Sequence, residues 1–113
     1  MENIDMNNIN FETDKSGFLR NPEHWNQEFA TYIAEHENIY LSENHWEVIN
    51  YIRKQYIENN KVPELRKLLT AFKKEYGLHK STRKYIYHLF PYGYAQQACK
   101  IAGMRQIKNW STG

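Results

Sequence analysis

The sequence is poor in cysteine: Cys99 is the only one in 113 residues. A single thiol closes no internal disulfide. With only five scattered histidines beside it (positions 24, 36, 45, 79 and 88), a structural zinc site is not expected. No apolar run approaches the ~18 residues a membrane span needs, so no membrane partner is expected. The opening stretch MENIDMNNINFETD is acidic and polar, with no apolar segment ahead of a cleavage site. A secretory signal is therefore not expected, and a reducing, cytoplasmic setting is. There is no nucleophile elbow, no phosphate loop and no glycine-rich fingerprint, so no cofactor is expected. Internal repeats and low-complexity tracts are lacking too.

What is present suits one folded domain. Apolar residues make up 41% and aromatic residues 15% of the chain, enough for a single core at this length. The net charge is only +2, but it is unevenly spread. Residues 1–52 carry Lys15 and Arg20 against ten acids, and residues 53–113 carry thirteen Lys and Arg against Glu58, Glu64 and Glu75. Such asymmetry points to an acidic partner or a nucleic acid at the second half. The alternative is a solvated basic face near an acidic half.

The first thirteen residues contain short β-favouring runs around Asn7-Asn8, read as a hairpin. A turn follows at Asp14-Lys15-Ser16-Gly17, with Phe18 and Leu19 as anchors. A first helix is expected from Asn21-Pro22 to Asn38, with Trp25, Phe29, Tyr32 and Ile33 on one stripe. A second has Ser42 as N-cap, a hydrophobic staple between Leu41 and Trp46, and an end at Asn59-Asn60. A third opens at Pro63 and closes at Gly77. Ser81 is expected to cap a fourth, stopped by Pro91 and Gly93. A fifth, over 94–102, places Ala95, Ala98, Ile101 and Ala102 inward. The tail from Met104 has no periodicity and is expected to be mobile. The fold class expected is mainly α: an orthogonal bundle of about five helices behind an N-terminal β-hairpin, with a flexible C-terminal arm. The divisions are 1–19 for hairpin and turn, 20–103 for the helical core and 104–113 for the arm.

Few residues offer chemistry. Cys99 is either a reactive thiol, activated by Arg83, Lys100 or Arg105, or an inert core residue. A change to Ser is expected to leave the fold intact, since the site belongs to a short terminal helix. The histidines read as surface or capping residues, and Glu35 and Glu37 as solvated charge. The third and fourth helices, joined by a Gly-containing turn, are compatible with a helix-turn-helix presenting Arg83, Lys84, Tyr87 and His88 to nucleic acid. Most aromatic residues read as core, while Tyr92 and Tyr94 are expected to be exposed.

The segments DKSGFLRNPEHW (14–25), LSENHWEVINYIRKQY (41–56), VPELRKLL (62–69) and LFPYGYAQQACKIAG (89–103) resemble, in order and spacing, the DsrC/TusE family of sulfur-relay proteins. The resemblance implies a helical domain whose C-terminal arm carries a cysteine one residue from its end. That cysteine takes up sulfur as a persulfide and hands it to a partner. In the TusE branch the relay feeds tRNA thiolation. In the DsrC branch a second, upstream cysteine joins it in serving dissimilatory sulfite reductase. Cys99 matches the upstream cysteine. Eleven positions on, this chain has Trp110, within KNWSTG, in place of the carrier. Cys99 then remains as the only possible persulfide-accepting thiol. Arg53, Arg66, Arg83 and Lys100 also match family positions, and the resemblance implies that they bind partner or anionic sulfur groups. Salt bridging to the acidic half is the other reading of them. The expected function is a sulfur-relay protein, a sulfurtransferase-type acceptor by resemblance, whose partners are sulfurtransferase relay proteins or a dissimilatory sulfite reductase. A regulatory paralogue, possibly DNA-binding, that has lost sulfur carriage is the alternative, and a plain structural subunit is a third. Whether the chain is itself an enzyme is left open.

Overall fold

The computed structural model describes the backbone of residues 2–6 and 9–106, and side chains from residue 11 to 106. Strands β1 (Glu2–Met6) and β2 (Ile9–Thr13) pair antiparallel, Glu2 opposite Thr13 and Met6 opposite Ile9. The expected turn at Asn7-Asn8 lies outside the described residues. Asp14 then folds the chain back. Its carboxylate accepts from Ser16 N and Phe18 N, its own amide donates to Phe18 O, and Gly17 sits at φ +90°. Phe18 and Leu19 are buried, as the anchor reading requires.

The expected first helix is broken in two. Pro22–His24 makes a single 3-10 turn under an Asn21 cap, and α1 (Gln27–His36) starts afresh. The cause is Asn26: its side chain accepts from Phe29 N, and this second cap defines a new N-terminus. Helix α2 (Glu43–Asn59) agrees closely with expectation, ending at Asn60 in the left-handed region. Its cap uses an unexpected partner. Ser42 N donates to His45 Nδ1 at 3.1 Å, and His45 Nε2 donates to Leu89 O at 2.9 Å, tying the start of α2 to a distant part of the chain. Helix α3 spans Leu65–Tyr76, and Gly77 beyond it takes φ +99°. Helix α4 (Arg83–Leu89) is capped by Thr82, not Ser81: the Thr82 hydroxyl accepts from Tyr85 N.

The last element departs most from a regular helix. Tyr94–Ala98 forms one π-helical turn, with Ala98 N bonded to Gly93 O, and runs into the short α5 (Cys99–Ile101). Such turns occur mainly where function or packing distorts a helix. The fold is mainly α, and α5 packs on both α1 and α2. Phe29, Ile33, Ile49, Ile52, Leu68, Ile86 and Phe90 fill the core between the helices. Met104, expected to begin the mobile tail, is fully buried, and its amide donates to Cys99 O at 3.0 Å. Residues 107–113, the greater part of the expected arm, lie outside the described residues.

Candidate functional site

The segment 94–104 carries the only cysteine and is locked from three sides. Trp25 Nε1 donates to Ile101 O at 2.9 Å. Arg53 donates to Ala102 O at 3.1 Å while its guanidinium lies 4.6 Å from the centre of the Trp25 ring. These two groups satisfy carbonyls that the end of α5 leaves without helical partners. Gly103 completes the lock. It sits at φ +81°, and a Cβ there would fall 2.3 Å from Trp25 Cδ1.

On the other side, Lys100 Nζ pairs with Glu37 Oε2 at 2.5 Å, and both side chains are largely shielded. Gln97 donates to the second Glu37 oxygen at 2.8 Å and accepts from Tyr92 N. Gly17 is favoured here as well: it sits at φ +90°, and a Cβ at that position would stand 3.0 Å from Lys100 Cε, which would have to shift. Glu37, which reads as solvated charge in the sequence, therefore joins α1 to the π turn.

Cys99 is fully buried. Burial pushes its thiol pKa well above the ordinary range, and a hydrogen bond with Tyr94 offsets this only in part. The activating role considered for Arg83, Lys100 and Arg105 is not what the structure shows, because desolvation outweighs any cation. Lys100 is instead turned toward Glu37. Tyr94, expected to be exposed beside Tyr92, is wholly buried, and its hydroxyl donates to Pro63 O at 2.5 Å. Tyr92 is exposed as expected. The expectation that Cys99→Ser leaves the fold intact meets a buried site: a hydroxyl there would sit in the core, with the Tyr94 oxygen, which donates to Pro63 O, still able to accept from it.

Of the residues expected to bind partner or anion, the structure brings Arg53 and Lys100 to the Cys99 segment. Among the described residues, Arg66 and Arg83 make no bond to it. Arg66 is 78% exposed and reaches only Glu64, at 3.5 Å. It lines a cleft of about 330 Å³ with Gln55, Asn59, Lys61, Pro63 and Lys67. Arg83 opens α4, exposed to water. Bridging to the acidic half thus holds for Lys100 and, unforeseen, for Lys80, which pairs with Glu47 at 3.0 Å. Trp25, Glu37, Gln97 and Tyr94 are the residues that sequence reasoning missed as parts of this site. The first, third and fourth fall within the segments that carry the family resemblance, which was the available signal. Among the described residues no group of three acidic, histidine or cysteine side chains is placed to hold a metal, and no helix is long and apolar enough to cross a membrane.

A sequence model described as "DsrC like protein" matches residues 5–109. A "Sulfurtransferase TusE homolog" from Haemophilus influenzae is 43% identical over 101 residues, covering 89% of this chain and 93% of that protein. "Sulfurtransferase TusE" from Escherichia coli K12 is 44% identical over 93 residues, 82% of this chain and 85% of that one. Among solved structures, the oxidised gamma-subunit of the dissimilatory sulfite reductase (DsrC) from Archaeoglobus fulgidus superposes with a TM-score of 0.86 at 32% identity. The match covers 96% of this chain and 99% of that one. DsrC from Allochromatium vinosum gives a TM-score of 0.86 at 37% identity, covering 96% and 97%.

Proposed function

The chain belongs to the DsrC-like protein family, and on that premise we propose that it is a sulfur-relay protein that docks with a sulfurtransferase or a sulfite-reductase-type partner. The observation that supports this reading most is the similarity to proteins named as TusE sulfurtransferases, together with the retention of the segment 89–103 around the only thiol. Arg66 and Arg83, exposed and, among the described residues, not bonded to the acidic half, are the proposed partner-binding cations; Arg53 and Lys100 position the Cys99 segment.

Sulfur transfer to Cys99 would be an exchange without net redox change. The Cys99 sulfur attacks the outer sulfur of a donor persulfide, the donor's S–S bond breaks, and the leaving thiolate takes up the proton lost by Cys99. In the closed structure that thiol is protonated and shielded from water. Uptake therefore requires the segment 94–104 to lift, against the bonds of Trp25, Arg53 and Lys100. The same burial favours a second reading, in which the chain docks within a relay without carrying sulfur.

Incubation of the reduced protein with a persulfide-loaded sulfurtransferase, followed by mass spectrometry and peptide mapping, separates the two. Gain of one sulfur atom on Cys99 is the result expected of a carrier. Stable docking with no adduct, even where the segment is loosened, leaves only the docking role. Absence of both binding and adduct with partners of either kind would remove the relay reading.

A further inference from the structure

Helix α3 carries a second feature that the thiol does not use. Its buried side presents Leu65, Leu68 and Phe72 to the core. At ~100° per residue, Arg66, Lys67, Thr70, Lys73 and Lys74 share the opposite arc, and all are exposed. The row runs ~12 Å along the helix at ~1.5 Å per residue. Among the described residues, only Arg66 of these four cations makes an ion pair, and a loose one, with Glu64. At the N-terminal end the row opens into the cleft between α2 and α3, where Lys61 adds a further cation and Gln55 and Asn59 supply amides. Two cations that do bridge to the first half, Lys80 and Lys100, are partly sheltered beside their carboxylates. Among the described residues, no carboxylate pairs with Lys67, Lys73 or Lys74.

We propose that the outer face of α3, from the Lys61 cleft to Lys74, is the docking surface for an acidic segment of a partner protein. The face would hold a run of Asp or Glu side chains along the helix, with one carboxylate seated in the cleft. A protein partner fits better than a nucleic acid for two reasons. Exposed Glu64 caps the start of α3 and exposed Glu75 lies near its end, beside the row. A duplex, with a charge every ~1.7 Å, would meet these carboxylates head-on, whereas a protein can place neutral groups opposite them. The row itself also has no aromatic side chain on which bases could stack. The inference rests on the reading that this chain works by binding a partner. It does not depend on sulfur uptake at Cys99.

The test uses the full chain, isotope-labelled, titrated with a synthetic oligoglutamate peptide and separately with a single-stranded RNA and a duplex DNA of matched charge. The peptide is expected to shift amides of residues 61–76, with an affinity that falls as salt rises. Reversal of the row (Lys67→Glu, Lys73→Glu and Lys74→Glu together) is expected to weaken peptide binding about tenfold or more while leaving the circular dichroism spectrum unchanged. Peptide shifts elsewhere, or binding insensitive to the reversal, would overturn the proposal. Tighter binding of RNA or DNA at the same amides would overturn the choice of partner, and so would self-association of the chain through this face at low salt. Persulfide uptake is measured in parallel on the unchanged chain with a small-molecule donor. No uptake with peptide binding intact counts against sulfur carriage alone and leaves the docking surface standing.

Discussion

The outer face of α3 and the segment 94–104 both carry cations, and the protein treats them in opposite ways. On α3, Lys67, Lys73 and Lys74 face water without an acidic partner among the described residues. At the last segment, Lys100 is held by Glu37, and Arg53 is spent on a backbone carbonyl and a tryptophan ring. The contrast teaches that a basic sequence position has no single meaning. A cation that satisfies a buried carboxylate or an orphan carbonyl is part of the fold, because its removal leaves a polar group unpaired in a poor solvent. A cation facing water contributes little to stability and is free to meet something else.

That contrast can be broken most forcefully at Gly103. A change to Ala forces a side chain onto positive φ and into Trp25, and should cost about 2–4 kcal/mol, read by thermal or denaturant unfolding. A change that leaves the melting temperature unmoved would mean the Trp25 lock is not formed in solution. Next comes Lys100→Met, which leaves Glu37 short of a charged partner in a shielded site. A loss of about 1.5–3 kcal/mol is expected, and the companion change Glu37→Gln should recover part of it. Cys99→Ser should cost about 1–2 kcal/mol through an added hydroxyl in the core. Cys99→Ala should be no worse. Equal stability of the Cys99→Ser variant and the wild-type protein would mean that the Tyr94 hydroxyl accepts the serine proton and offsets its burial.

Acidification gives a smaller effect with a definite sign. Burial holds His45 below its ordinary pKa, and its neutral ring both accepts from Ser42 and donates to Leu89. The unfolded chain therefore binds the proton more readily than the folded one. The contribution of His45 is present above the unfolded value of about 6.5 and is lost as pH falls from there through the lower folded value. Unfolding midpoints between neutral and mildly acid pH should drop in the wild type and drop less in His45→Gln. The smallest effect is expected at the exposed cations. Arg66→Ala and Arg83→Ala should change stability by no more than about 0.5 kcal/mol while weakening partner or anion binding in a titration.

Much of the framework is legible along the chain. Ser42 and Asn60 mark the ends of α2, and the apolar stripes of α1, α2 and α3 give the buried faces. Local rules are weaker where two caps compete, as at Asn21 and Asn26, or where two hydroxyls do, as at Ser81 and Thr82. Pattern alone also gave no sign of the π turn at Tyr94–Ala98. Its extra residue per turn shifts the inward face, and this helps carry Tyr94 into the core although its neighbour Tyr92 stays in water.

The order of helices, the two ends of α2 and the family to which the chain belongs were settled by the sequence alone, because each depends on residues a few positions apart or on contiguous motifs. The fate of the thiol and of each charge was decided only by the tertiary structure. Trp25 and Ile101 are 76 positions apart, and Glu37 and Lys100 are 63 apart. Burial and pairing depend on such distant neighbours, and no periodicity within a helix encodes them.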